Sequence, residues 1–148
     1  MTTRLFAATA SAVGLLSMAA FTTWHATIKP VGSSGISGSA DIEPAMAMAG
    51  KKDDGTSYRA SITILGAKPG STHHWHVHSG KCGSGGGVVG SASAYPAITV
   101  DHMGGGSASA VVSVKLDPKA EYHVNVHATG GDDVVACGDL SMSGEMGH

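Results

Sequence analysis

The stretch that decides the fold is His73-His74-Trp75-His76-Val77-His78, and Cys82 follows it closely. Successive side chains of a β-strand point to opposite faces. The even-numbered histidines of this stretch would therefore share one face, while Trp75 and Val77 would fill the other. This pattern predicts a strand that covers an apolar core with one face and presents imidazoles on the other.

A second segment, Tyr122-His123-Val124-Asn125-Val126-His127, has the same division. Its even-numbered residues are apolar, and its odd-numbered residues are polar and end at His127. Imidazole is the commonest metal ligand in proteins, although it is also a common solvated surface group. Two strands of this kind favour a metal site outside a packed core, and a solvated histidine face is the alternative.

The composition favours a single all-β domain. The chain has 148 residues, 22 of them glycine, and only 14% are charged. Short β-rich runs separated by turn residues are typical of an antiparallel β-sandwich or flattened barrel. The net charge of −2 gives no basic surface for nucleic acid. The predicted strands span residues 26–31, 37–42, 58–65, 73–78, 94–101, 108–116, 122–127 and 134–140. The first of them contains Pro30, which predicts an edge strand.

The N-terminal residues are typical of a secretory signal. Arg4 precedes an apolar run over residues 5–16, and Ser17-Met18-Ala19 offers small residues for cleavage. We therefore expect a signal peptide over residues 1–19, a β domain over 26–141 and a flexible tail over 142–148. The apolar run is shorter than the roughly 20 residues of a membrane helix. The prediction is an exported protein (periplasmic, cell-surface or secreted) with no membrane span once the signal is removed, and an uncleaved anchor is the alternative.

Cys82 and Cys137 are the only cysteines. An even number of cysteines in an exported protein favours a disulfide. Two free thiols, or two soft copper ligands, are the alternatives.

Four motifs in order resemble the copper/zinc superoxide dismutase superfamily. They are Trp-His-Val-His at 75–78, Cys-Gly at 82–83, Val-Asn-Val-His at 124–127 and Ala-Cys-Gly at 136–138. The resemblance covers residues 26–141 and is closest to the reduced bacterial superoxide dismutase-like proteins, which are also similar to CHRD domains. It implies a Greek-key antiparallel β-sandwich.

The resemblance also assigns the site residues. The implied ligands of one copper ion are His76, His78 and His127. His73 falls where the family keeps a structural histidine that braces the ligands and fixes which nitrogen faces the metal. His74 and His123 are further candidate ligands on the same two strands. The two cysteines match the family's disulfide.

This chain departs from the family at three places. The family's bridging histidine falls within residues 85–89, which contain none. Asp101 and His102 are the only candidates for zinc before the next strand, and adjacent residues of an extended chain point apart, so no zinc is expected. The family's arginine, three residues before the last cysteine, corresponds to Val134, which follows two aspartates.

We therefore expect an exported, copper-binding superoxide dismutase-like domain whose three-histidine site dismutes superoxide slowly or not at all. A working copper-only superoxide dismutase is one alternative. The other is a non-enzymatic, CHRD-like binding or structural domain in which the histidines populate a solvated face.

Overall fold

The computed structural model describes residues 23–45 and 56–143. These residues form β-strands joined by turns and one short 3₁₀ turn, Ala92–Ala94, without any α-helix. The strands are β1 (Thr23–Pro30), β2 (Ser37–Pro44), β3 (Tyr58–Leu65), β4 (Thr72–His73), β5 (Trp75–Ser79), β6 (Ile98–Thr99), β7 (Gly106–Val112), β8 (Tyr122–His127) and β9 (Val134–Ser143). No helix among these residues is long and apolar enough to cross a membrane.

One curled antiparallel sheet of seven strands makes up most of the domain, in the order β5-β8-β9-β1-β2-β3-β7. β4 and β6 form a separate two-stranded sheet. Strands distant in sequence lie side by side, such as β9 next to β1 and β7 next to β3. This architecture confirms the prediction of an all-β sandwich.

The core lies inside the curl of the sheet. Trp24, Trp75 and Val124 are at most 3% exposed. Burial of such side chains is the main favourable term in folding. The indole N–H of Trp75 donates to the carbonyl oxygen of Pro96 at 2.8 Å, which satisfies the polar group of this buried ring. The inner face of β5 and β8 is thus the apolar one that the alternation predicted.

The position of β1 corrects the prediction of an edge strand. β1 pairs with β2 on one side and with β9 on the other. Pro30 is its last residue, and the β1–β2 ladder has already ended at the Ile28–Gly38 pair. A proline is tolerated there because it removes a donor at the end of the ladder rather than in its middle.

The histidine stretch is divided at His74 instead of forming one strand. His73 ends β4, which pairs with β6, whereas Trp75 begins β5, which pairs with β8. The carbonyl oxygen of His74 accepts a bond from the backbone N–H of His127 at 2.8 Å, so the break still contacts β8.

The domain extends beyond its predicted limits at both ends. β1 begins at Thr23 rather than residue 26, and β9 continues through Met142 to Ser143 because these residues pair with Trp24 and Thr23. The prediction of a flexible tail was therefore wrong for those two residues. The remainder of the tail and the predicted signal peptide lie outside the described residues.

Candidate metal centre

Three imidazoles converge on the outer face of the sheet. His76 and His78 come from β5, and His127 ends β8. Each offers one nitrogen, and the three nitrogens lie within 4.8 Å of one another. All three side chains are partly buried. The structure thus brings together the three histidines that the resemblance assigned to a metal, and this group can hold an ion.

His78 is fixed by the loop that follows β5. Its Nδ1–H donates to the carbonyl oxygen of Gly86 at 2.8 Å, which leaves the lone pair on Nε2. That Nε2 is buried and has no hydrogen-bond partner. Burying a polar atom without a partner is unfavourable, and a metal ion would supply the missing partner. The burial itself lowers the pKa of His78, and this effect outweighs the opposing bond to Gly86.

His127 is oriented in the same way by the loop before β9. Its Nδ1–H donates to the carbonyl oxygen of Asp132 at 2.8 Å, so its lone pair is also on Nε2. Backbone partners of this kind set the tautomer and the ring orientation of metal-binding histidines.

His76 contacts the ring of another candidate ligand rather than a loop carbonyl. Its Nδ1 lies 3.3 Å from Nε2 of His127. Since Nε2 of His127 carries a lone pair, Nδ1–H of His76 donates to it in the metal-free chain. Burial first, and then the nearby rings of His127 and His78, lower the pKa of His76 to about 4. The imidazole is therefore neutral near pH 7, as a ligand must be.

Tyr95 packs edge-on against His76. The ring centroids are 5.4 Å apart at an interplanar angle of 83°, and the other neighbour of Tyr95 is Trp75 at 5.1 Å. The phenol O–H donates to the carbonyl oxygen of Val89 at 2.7 Å. Burial raises the pKa of Tyr95 to about 12, so the phenol stays protonated. Tyr95 thus limits the ring positions open to His76.

His73 contacts the backbone of a candidate ligand and does not belong to the converging group. Its Nδ1–H donates to the carbonyl oxygen of His127 at 2.8 Å, and its Nε2 lies 3.1 Å from Oγ of Ser71. It is 5% exposed. This buried imidazole therefore contacts the end of β8, and its role in bracing the ligands remains a prediction.

His74 and His123 lie outside the group of three. His74 is exposed and contacts β8 through its backbone oxygen. His123 is buried, stacks on His78 at 5.3 Å, and donates from Nδ1 to the carbonyl oxygen of Gly80 at 2.8 Å. His74 lies at the break between β4 and β5, and the alternation of faces does not predict this break.

The two cysteines form a disulfide with a Cα–Cα distance of 6.0 Å, as predicted. It joins the loop after β5 to β9. The backbone N–H of Cys82 also donates to Oδ1 of Asp139 at 2.7 Å. The disulfide is compatible with an oxidising compartment.

An acidic side chain, Asp132, acts on the candidate metal centre. The carboxylate of Asp132 raises the pKa of His76, whereas burial lowers it. Asp132 therefore lies close enough to interact electrostatically with that ring. Val134, at the position of the family's arginine, lies directly across the ladder from His127. The described residues thus place an acidic group and an apolar one next to the three histidines.

The donor set fits a late first-row transition metal. Three imidazole nitrogens suit copper, zinc or nickel, and nitrogen ligands bind Cu(II) most strongly along the Irving–Williams series. Compared with known proteins, the chain matches no protein-family profile and no curated sequence.

Two contributors to the site were missed by sequence reasoning. They are the carbonyl oxygens of Gly86 and Asp132, which orient His78 and His127. Every residue has a carbonyl, so no residue type marks these positions. An added Cβ at Gly86 would overlap the carbonyl oxygen of Ser79, but this constraint is visible only in the folded chain.

Proposed function

We propose that the chain is an exported copper-binding domain of superoxide dismutase-like fold, in which His76, His78 and His127 hold one copper ion. The observation that carries the proposal is the buried, unpartnered Nε2 of His78 within the converging group. The disulfide and the predicted signal peptide support export.

Copper would supply one-electron chemistry through its two oxidation states. The chain's own residues fix the ligand nitrogens, with the Gly86 and Asp132 carbonyls holding two rings and Tyr95 packing on the third. These residues supply no positive charge that would attract an anionic substrate. A suitably charged cleft raises association rates by roughly 10–10³-fold. Here Asp132 and Val134, rather than a cation, lie next to the three histidines. We therefore propose that superoxide dismutation is slow or absent.

Copper titration of the oxidised full chain, followed by electron paramagnetic resonance, tests the proposal. We expect one equivalent to bind with a nitrogen-rich spectrum. His76→Ala should weaken binding at least tenfold, whereas His102→Ala, on an exposed turn, is the matched control and should leave it unchanged. Equal affinities for the two variants would remove the ligand assignment.

A superoxide assay on the copper-loaded chain separates the remaining alternatives. A rate near the diffusion limit would identify a copper-only superoxide dismutase and contradict the argument from charge. A chain that takes up no copper would instead be the CHRD-like binding or structural domain, and its histidines would serve only as a solvated face.

A further inference from the structure

A cavity of about 490 Å³ lies beside the candidate metal centre and is lined by none of the three candidate ligands. We call it the side cavity. Its apolar walls are Val31, Val134 and the Cys82–Cys137 disulfide, and its polar residues are His123 and Asn125 of β8. It therefore lies between the outer face of the sheet and the loop that follows β5.

Asn125 has an unmet hydrogen-bonding requirement. Its side chain is 9% exposed, and its Oδ1 is buried without a partner. A metal held by the three histidines accounts for the other such atom, Nε2 of His78, but not for this one. The terminal torsion of an asparagine side chain is broad. Rotation about it exchanges the amide oxygen and nitrogen, so Asn125 can present either group to a hydroxyl that both donates and accepts in the side cavity.

His123 supplies a second acceptor. Its Nδ1–H is taken by the carbonyl oxygen of Gly80, so its lone pair is on Nε2. No Lys, Arg, Asp or Glu side chain lines the side cavity among the described residues. An ion bound there would lose hydration without gaining a counter-charge. The lining thus selects an uncharged ligand that donates a hydrogen bond.

The side cavity has room for such a ligand. A Cβ built on Gly83 or Gly85 would meet no atom within 4 Å. The volume falls within the range of roughly 300–1,000 Å³ that is usual for small-molecule sites, which are mostly apolar with a few polar groups. Cys82 and Val31 are exposed, so the side cavity opens to solvent.

We propose that the side cavity binds a small neutral phenol. The hydroxyl group would donate to Asn125 or His123, and the ring would pack against Val31, Val134 and the disulfide, whose sulfur atoms make favourable contacts with aromatic rings. This site requires no metal. Since His123 stacks on His78, a ligand there also lies next to the candidate metal centre.

Phenol titrated into the oxidised, metal-free full chain tests the site, with amide signals followed by nuclear magnetic resonance. We expect saturable shifts centred on Gly83, Gly85 and Val134. Toluene, which has the same ring without the hydroxyl, should bind at least tenfold more weakly. Shifts that do not saturate, or equal affinities for phenol and toluene, would overturn the proposal.

Two variants and a matched control complete the test. Asn125→Leu should weaken phenol binding at least tenfold and leave toluene binding unchanged. Val134→Phe should fill the side cavity and abolish the binding of both phenol and toluene. Val111→Phe, on the exposed side of β7, should leave the binding of both ligands unchanged. If Val134→Phe bound phenol with the wild-type affinity, phenol would bind outside the side cavity. Because these samples hold no metal, a failure of copper binding would leave the result intact.

Discussion

Nδ1–H of His78 donates to the carbonyl oxygen of Gly86 across 2.8 Å. This bond joins a candidate metal ligand on β5 to the glycine-rich loop that follows the strand. The loop is held in place by two further bonds, from the N–H of Ser79 to the oxygen of Gly87 and from the N–H of Val89 to the oxygen of Val77. The orientation of the imidazole therefore depends on the path of this loop.

Gly86→Ala should weaken metal binding about 10–100-fold, the usual effect of losing a partner that orients a ligand. The new Cβ would overlap the carbonyl oxygen of Ser79, so the loop must shift and withdraw its bond to His78. Gly87→Ala is the matched control, because a Cβ there meets no atom within 4 Å. Competition against a copper chelator measures both, and a similar loss in the two variants would contradict the prediction.

Tyr95→Phe and Tyr95→Leu should separate the roles of the ring and the hydroxyl. Phe keeps the edge contact with His76 but leaves the buried oxygen of Val89 without its donor, which should lower the free energy of unfolding by about 1–3 kcal/mol. Leu also removes the ring and frees His76. We expect the spectrum of bound copper to be unchanged in the first variant and altered in the second. Identical spectra in both would mean that Tyr95 does not position His76.

Replacing both cysteines with serine should lower the free energy of unfolding by roughly 4 kcal/mol, because the disulfide closes a loop with a sequence separation of 55. Guanidinium unfolding measures this difference. Cys82→Ser alone should lose nearly as much, since either substitution opens the loop. A loss below about 1 kcal/mol would show that the disulfide stabilises the domain less than the chain-entropy model requires.

Asp101 should contribute to the acid sensitivity of the domain. Its carboxylate accepts bonds from the backbone N–H groups of Gly105 and Met103, and these lower its pKa below the usual 3.8. The folded state thus favours the ionised form, so this stabilisation is present above pH 3.8 and is lost as the pH falls through the folded-state pKa. In this acid range, the unfolding midpoint of Asp101→Asn should fall less steeply with decreasing pH than that of the wild type. Asp133→Asn is the control and should follow the wild type. Parallel profiles for wild type and Asp101→Asn would refute the assignment.

Val134→Arg should speed superoxide dismutation by the copper-loaded chain roughly tenfold at low salt, and the gain should shrink as ionic strength rises. The substitution places a cation across the ladder from His127. Val111→Arg adds the same charge on β7 and should leave the rate unchanged. If both variants gave the same rate, specific steering at the metal centre would be excluded.

The alternation of β8 shows what the sequence could predict. Tyr122, Val124 and Val126 face the core, and His127 reaches the metal centre, because side-chain direction in a strand follows from position alone. The alternation of buried and exposed side chains continues through His74, but it does not predict that the chain leaves one sheet and enters another there. Strand breaks of this kind depend on distant pairing partners, which alternation does not encode.

The loops were the least predictable part of the site. Residues 83–90 read only as a glycine-rich turn, yet Gly86 orients His78 through its backbone oxygen. Tyr95 was included in a predicted strand over 94–101, but it follows a 3₁₀ turn and packs against His76. In both cases the contact depends on the path of a loop between strands, which residue types alone do not specify.

The ladder between β8 and β9 shifts register between Val126, which pairs with Ala136, and His127, which pairs with Val134. Val135 is the extra residue of this β-bulge. The bulge therefore fixes the number of residues that must separate His127 from Cys137. Homologous proteins that keep the centre should preserve the number of residues between His127 and Cys137, even where the amino acids in that interval have diverged. A single insertion or deletion there would displace the histidine relative to the disulfide, whereas most substitutions would not.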